Sequence, residues 1–417
     1  MAERRVVITG LGTVNPLAHN VADFWSGLLT GKSGITRITF FDPTHFASQI
    51  GGEVKNWPSP PKDIVDSREA KRMDRYSQFA VVAGAEAVRD SGIDFNSEDL
   101  DRCGVLVGSG IGGLLTLEVQ HTRLIEKGPS KVSPFTIPRL MINAASSHLS
   151  IMFGLQGPNF AIVTACASAS HSIGEAKRII QRGEADVMIT GGSEAAVTQI
   201  GLASFCALKG LSTRNDDPEH ASRPWDKDRD GFLLAEGSGC VVLETLDHAC
   251  KRGARIYGEL IGYASNADAY HITAPDPKGG GAAQAIRKAL ADGQIEPSDV
   301  DYINAHGTST VLGDISETLA IKNVFGDYAK QGLMVSSTKS LTGHLLGASG
   351  GVELIACLKA MEDNVLPATC NLDEPGEGCD LDYIPNTPRE KKVDIILSNS
   401  FGFGGHNSCL LVKRFKG

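Results

Sequence analysis

The chain has 417 residues, enough for two or three core-forming units of roughly 100–200 residues each. With 41% hydrophobic and 21% charged residues it is expected to be globular, and 47 glycines with only 6% aromatics suit an α/β chain with many tight strand-to-helix turns. A formal net charge of −9 argues against a general nucleic-acid binder, and no apolar run approaches the roughly 18–20 residues that span a bilayer.

In chain order, Met1–Arg5 leads straight into the strand-like Val6-Val7-Ile8-Thr9-Gly10, with no secretory apolar segment before it. Further strands are predicted at 104–108, 160–164, 186–190 and 239–244, after a first at 5–9. A break falls near Lys251-Arg252-Gly253-Ala254, and strands follow at 257–263, 300–304, 332–337, 394–398 and 408–413. Longer helical patterns alternate with them, which predicts layered α/β structure in two parts, residues 1–252 and 253–417. In each part an apolar strand runs into a chemically rich turn, Ile162-Val163-Thr164-Ala165-Cys166 in one and Tyr302-Ile303-Asn304-Ala305-His306 in the other. We read this as a sign of duplication. Residues 57–62 and 275–281 are predicted surface loops. The nine cysteines are scattered and form no CxxC pair, which disfavours zinc-ribbon and thioredoxin readings and predicts a cytosolic chain with reduced thiols.

Cys166 stands where a strand stops and a helix starts. Ala169, Ile173, Ala176 and Ile180 form one apolar helical stripe, and Gly183 is placed to end that helix. First-turn amides near the sulfur are expected to lower its pKa, and the Cys166 amide is placed to serve an oxyanion. A cysteine among alanines is otherwise a small core residue, so the reading needs partners. Two histidines qualify: His306 in Asn304-Ala305-His306-Gly307-Thr308-Ser309-Thr310, and His344 in Lys339-Ser340-Leu341-Thr342-Gly343-His344. Both turns are rich in small residues that admit close approach, and imidazole serves as acid, base or donor near neutral pH. Cys166, His306 and His344 share no tight ligand spacing, so no metal is expected. Near the C-terminus, Ser398-Asn399-Ser400-Phe401-Gly402-Phe403-Gly404-Gly405-His406-Asn407 sets two phenylalanines among glycines.

Together these motifs resemble the β-ketoacyl-[acyl-carrier-protein] synthases, elongating condensing enzymes of fatty-acid synthesis, and most closely their synthase II type. Gly108-Ser109-Gly110-Ile111-Gly112-Gly113, Leu211-Ser212-Thr213-Arg214-Asn215, Arg223-Pro224-Trp225-Asp226 and Asp268-Ala269-Tyr270-His271 match as well, along essentially the whole chain. The resemblance implies a duplicated thiolase-like α/β fold in five layers, α-β-α-β-α, assembled as a homodimer. It implies that Cys166 takes up an acyl chain as a thioester and that His306 and His344 assist decarboxylation of malonyl-carrier protein. The amides of Cys166 and Phe403 would form the oxyanion hole, Lys339 would support the site with Glu317 as its ionic partner, and Thr308, Thr310 and Thr273 would grip the phosphopantetheine arm. Phe403 is implied as a gate beside Phe401, Ile111 as the residue that sets pocket depth, and Ile137 as one facing across the dimer. Arg68, Lys71, Arg72, Lys127, Lys131 and Lys209 stand where the family docks acidic acyl carrier protein, and no cofactor of its own is implied because pantetheine arrives on the carrier. Val311-Leu312 and His406 depart from the family pattern.

Rival readings fare worse. The GxGxxG at 108–113 lacks an acidic residue about 20 positions on, where Lys131-Val132-Ser133-Pro134 stand, so a dinucleotide site is not expected. A degradative thiolase would carry a second catalytic cysteine, an initiating synthase an asparagine in place of His344, and a chain-length-factor-like subunit no nucleophile.

Overall fold

The computed structural model describes residues 4–57 and 59–417; Met1–Glu3, ahead of the first strand, and Pro58, in the predicted 57–62 loop, lie outside the described residues. Its main sheet is built from β1 (Val6–Val14), β2 (Cys103–Gly108), β3 (Asn159–Phe160), β4 (Val187–Glu194), β5 (Gly237–Thr245), β6 (Gly258–Ala267), β7 (Tyr302–Asn304), β8 (Met334–Ser336), β9 (Ile395–Gly402) and β10 (His406–Lys413). Across the sheet the order is β8-β7-β9-β10-β6-β1-β5-β4-β2-β3. The first five strands therefore run β1-β5-β4-β2-β3 from the centre outward, and the last five run β6-β10-β9-β7-β8.

The two orders are the same, with every strand number raised by five. Directions repeat too: the three outer strands of each set are parallel and the inner pairings antiparallel. The sets meet through a short β1–β6 ladder, Val7 opposite Glu259 and Ile8 opposite Gly258. The duplication hinted at by two turns is thus written in the backbone.

The helices used below are α1 (Arg75–Ser91), α2 (Ala144–Phe153), α3 (Ser168–Gln181), α4 (Gly280–Asp292), α5 (Val311–Phe325) and α6 (Ser349–Asp363). α3 and α6 pack on each other between the two strand sets and form the middle layer. α1 and α2 cover the outside of the first set, and α4, with α5 beside it, the outside of the second. The result is five layers, α-β-α-β-α. All nine residues of β1, of β5 and all eight of β4 are buried, so none of these strands shows the polar–apolar alternation of a half-exposed strand. α3 buries the stripe Ala169, Ile173, Ala176 and Ile180, and Gly183 at φ +79° follows its end.

Several boundaries differ from expectation: β1, β4, β6 and β9 run on four or five residues past the predicted ends at 9, 190, 263 and 398. The strand predicted at 160–164 is laddered only at Asn159–Phe160, because it is the sheet's last strand and the chain turns away toward α3. The loop predicted at 275–281 ends two residues early, where α4 begins at Gly280.

A buried charge cluster joins β5 to the outer surface. Glu244 accepts from Thr9 Oγ1, from Arg252 Nε at 2.8 Å and Nη2 at 2.6 Å, and contacts His248 Nδ1 at 2.6 Å, while His248 Nε2 meets Glu98 at 2.9 Å. These partners overcome the burial that pushes Glu244 up and hold it at about 2, below its usual 4.5. The two carboxylates raise His248 from 6.5 to about 9. Stability from Glu244 is therefore present above pH 4.5 and lost as pH falls toward 2; stability from His248 is present below pH 6.5 and lost as pH rises through about 9. Glu244→Gln is expected to lower unfolding free energy by about 3 kcal/mol at pH 5.5 and by less near pH 10, read as urea midpoints at the two pH values. An equal loss at both would show that His248 carries no charge in the fold.

Candidate active site

α3 begins at a constrained turn. Ala165 stands at φ +48°, a left-handed conformation that costs a residue with a Cβ about 1–2 kcal/mol. Its neighbours hold it there. Ser168 Oγ accepts from the Thr164 N–H at 2.9 Å and donates to the Ala165 carbonyl at 2.7 Å. Thr164 Oγ1 meets Nδ1 of His171 at 2.7 Å, and Nε2 of that ring meets Ser265 Oγ on β6 at 3.0 Å, tying the turn to the second strand set. Cys166 is thereby presented at the mouth of α3. The second half repeats the device: Leu346 at φ +47° precedes Gly347, and Ser349 opens α6 as Ser168 opens α3. Gly347 thus occupies the place that Cys166 holds in the first half, so one repeat carries a thiol and the other does not.

His306 follows β7 and is fixed through its backbone. The amides of His306 and Gly307 donate to the two oxygens of Glu317 at 2.9 and 2.8 Å, and Asn399 Nδ2 donates to the same carboxylate at 3.2 Å. His344 donates its N–H to the Leu233 carbonyl at 2.7 Å, and its Nδ1 meets Ser349 Oγ at 2.9 Å. Residues separated by up to 178 positions in the chain converge: Cys166 Sγ and one nitrogen of each imidazole lie within 4.8 Å of one another, and the two rings stand edge to face with centroids 5.2 Å apart. Spacing along the chain therefore says nothing against a metal at this trio; what assigns it to acyl chemistry is the family relation given below.

All three groups are buried, and burial sets their protonation. It pushes the Cys166 thiol up to about 12, against the opposing pull of the Phe403 N–H and the Lys339 ammonium. The acidified thiol expected from the helix start is not found, because desolvation outweighs the amide dipoles. Burial, then Lys339, holds both imidazoles well below 6.5, with His344 adding to the effect on His306. The resting site is a neutral thiol facing two neutral imidazoles.

Lys339 is buried, but its ion-pair partner is Glu353 on α6, not the expected Glu317. Glu317 spends its oxygens on the His306 turn, so its support is to backbone position. Around the trio lies a cavity of about 550 Å³, walled by Ile111, Thr273, Thr308, Thr310, Phe401 and Phe403 and reaching Cys166. That volume falls within the roughly 300–1,000 Å³ of small-molecule sites. Thr308 and Thr310 hydroxyls meet at 3.0 Å, and the Phe401 ring stands 6.0 Å from that of His306. At Gly402 a Cβ would come within 2.8 Å of the Thr164 carbonyl and 3.1 Å of the Cys166 nitrogen, so only glycine lets β9 close on the nucleophile turn. The next residue, Phe403, then brings its N–H to the sulfur. The 268–276 loop braces this end: Asp268 donates its N–H to the Gly405 carbonyl at 2.9 Å and accepts from Asn407 Nδ2 at 2.7 Å.

Two family models match the chain, that of the beta-ketoacyl synthase N-terminal domain over residues 3–249 and that of the C-terminal domain over residues 257–373. The chain belongs to the beta-ketoacyl synthases. It is 51% identical to 3-oxoacyl-[acyl-carrier-protein] synthase 2 of Synechocystis over 416 residues, covering 100% of this chain and 99% of the relative. The enzyme of the same name from Coxiella burnetii is 51% identical over 414 residues, 99% of each chain. Among solved structures, one described as a type II polyketide acyl-carrier protein in complex with its ketosynthase bound to the hexaketide superposes with a TM-score of 0.92 at 35% identity, covering 99% of this chain and 100% of that one.

Within this synthase the remaining expected residues fall on the surface. Ile137 is 62% exposed, outside the cavity wall of its own chain. Arg68, Lys71, Lys127, Lys131 and Lys209 are exposed, and Lys209 also borders the cavity. Arg72 is engaged, paired with Glu69 at 2.6 Å and stacked over the Phe135 ring. Val311 opens α5, and Leu312, 64% exposed, stands at the cavity rim. Sequence reading passed over Glu353, His171 and Glu194. Glu353 is a carboxylate inside the apolar run Val352–Leu358, which is the signal that could have found it, whereas His171 and Glu194 stand among serines and glycines that hide them.

Proposed function

We propose that this synthase is a 3-oxoacyl-[acyl-carrier-protein] synthase of type II that elongates fatty acyl chains in two steps on one sulfur. In the first, Cys166 attacks the thioester of an acyl-carrier protein; its proton leaves with the pantetheine thiol and the acyl chain remains on Cys166. In the second, malonyl-carrier protein loses CO₂, and the carbanion attacks the Cys166 thioester. The tetrahedral intermediate then expels the Cys166 sulfur, which regains a proton, and 3-oxoacyl-carrier protein departs.

The observation that carries this reading is the convergence of a thiol with two neutral imidazoles at the end of a cavity. Neutral imidazoles donate hydrogen bonds to an enolate oxygen without having to give up a proton, and in the tautomer where the Ser349 hydroxyl donates to His344 Nδ1, the Nε2–H is free for that work. The amides of Cys166 and Phe403, both of which act on the sulfur, would serve the oxyanion, where one donor contributes on the order of 3 kcal/mol. Covalent storage frees the carrier site for the second substrate and gives ping-pong kinetics. The pantetheine comes with the substrate, and no cofactor of the enzyme's own takes part. A polyketide role is the second reading. The 51% identity to a 3-oxoacyl-[acyl-carrier-protein] synthase 2, against 35% to the polyketide ketosynthase structure, favours the first.

Exposed Arg68, Lys71, Lys127, Lys131 and Lys209 offer positive charge to an acidic carrier protein on a chain of net charge −9. The exposed apolar residues Ile125, Phe135, Ile137, Met141 and Ile151, with Phe160 on the edge strand β3, offer apolar surface to a second copy, giving a homodimer. Among the described residues no helix is long and apolar enough to cross a membrane, and all nine cysteines are free, which fits a reducing cytoplasm.

The test is mass spectrometry of intact protein exposed to acyl-carrier proteins of graded chain length. One acyl adduct per chain, localised to Cys166 and discharged by malonyl-carrier protein, is expected. Failure to form the adduct with any length overturns the proposal.

A further inference from the structure

The glycine-rich loop 108–113 and the turn after His344 are joined by one buried carboxylate. Glu194 ends β4 with no exposed surface. Its Oε1 accepts from Ser109 Oγ at 2.9 Å and the Ile111 N–H at 3.2 Å; its Oε2 accepts from the Gly110 N–H at 2.7 Å and the Gly347 N–H at 3.1 Å. Four donors converge on two oxygens, which an ionised carboxylate satisfies fully and no neutral side chain of the same shape can. Burial pushes the carboxyl up, and these same donors oppose it. Ser109 relays the hold, since its Oγ also accepts from the Gly112 N–H at 3.0 Å.

The geometry leaves the loop no slack. A Cβ on Gly347 would come within 2.3 Å of the Gly110 nitrogen and 2.8 Å of Glu194 Oε2, so the two turns touch backbone to backbone with the carboxylate clamped between them. Ile111, whose own amide is held, projects into the cavity; Gly347 is the counterpart of Cys166 and lies three residues from His344.

Resting on the synthase reading above, we propose that Glu194 is a positioning residue that sets acyl-chain selectivity, by clamping the Ile111 loop to the His344 turn. Glutamine in its place turns a donor toward the Gly110 or Gly347 amide, and the loop must shift to relieve it. A shift of Ile111 by the size of one methylene changes discrimination between chain lengths about tenfold or more.

The experiment measures rates of Cys166 acylation by a short and a long acyl-carrier protein for wild type, Glu194→Gln and Ser109→Ala, with thermal melts beside them. Wild type must first acylate at Cys166; if it does not, the functional reading fails and not this one. The expected result is a long-to-short rate ratio changed at least tenfold in Glu194→Gln and changed in the same sense, by less, in Ser109→Ala. Ile111→Ala is expected to alter the ratio much less in the Glu194→Gln background than in wild type. A merely structural role lowers all rates together and leaves the ratio where it was, and that outcome in a folded Glu194→Gln overturns the proposal. Should Glu194→Gln not fold, Ser109→Ala decides by the same ratio.

Discussion

Cys166→Ala is expected to form no acyl adduct with any acyl-carrier protein and to lose condensation by a factor on the order of 10⁶, the scale seen when a catalytic nucleophile is removed. Alanine removes only the sulfur from this buried position, so the fold should survive with a closely similar melting profile. With the thiol held near 12, alkylation of wild-type Cys166 by a small haloacetamide is expected to be slow at pH 7 and to climb through pH 9 and 10 as thiolate appears. Alkylation that is already at its maximum at pH 7 would contradict the electrostatics described here. An acyl adduct on another cysteine in the variant would move the nucleophile elsewhere. Acyl transfer does not demand a standing thiolate: a carrier protein's arm that enters the cavity brings the thioester against the sulfur, and the Phe403 and Cys166 amides take the charge as it leaves.

His344→Ala is expected to separate the two steps. Acylation should persist within about tenfold, whereas condensation should fall by about 10²–10⁴, the usual range for a positioned acid, base or donor. The reason is geometric. The thioester forms against the Cys166 and Phe403 amides, while the decarboxylating malonyl group has no donor there and depends on the imidazoles. Intact-mass acylation and steady-state condensation on the same preparation read the two steps independently; an equal loss of both would end the division of roles. Because the His344 ring also meets Ser349 Oγ at 2.9 Å at the start of α6, a melt of the variant is needed beside the rates.

Much of this was legible in the chain. The runs at 104–108 and 239–244 announced buried strands because strands covered on both faces lack the polar–apolar alternation of a half-exposed one, even where the second ends on the buried Glu244. The stripe from Ala169 to Ile180 announced a helix behind Cys166 because only one period suits it. The His306 and His344 turns stood out because small residues crowd around a group that titrates near neutrality. The ion pair was less accessible: Glu317 and Glu353 lie on different helices at comparable separations from Lys339, and nothing in the order of residues says which carboxylate reaches the ammonium.

What the amino-acid order determined by itself is local: where strands stop, where helices open, and which side chains at those junctions carry chemistry. Tertiary structure alone decided the rest. It brought Cys166, His306 and His344 within 4.8 Å, gave Lys339 to Glu353, clamped two turns on Glu194, and raised the thiol that a helix mouth was expected to acidify. The physical reason is that distances across a duplicated sheet and the water excluded from its centre are properties of packing, and no stretch of sequence holds either one.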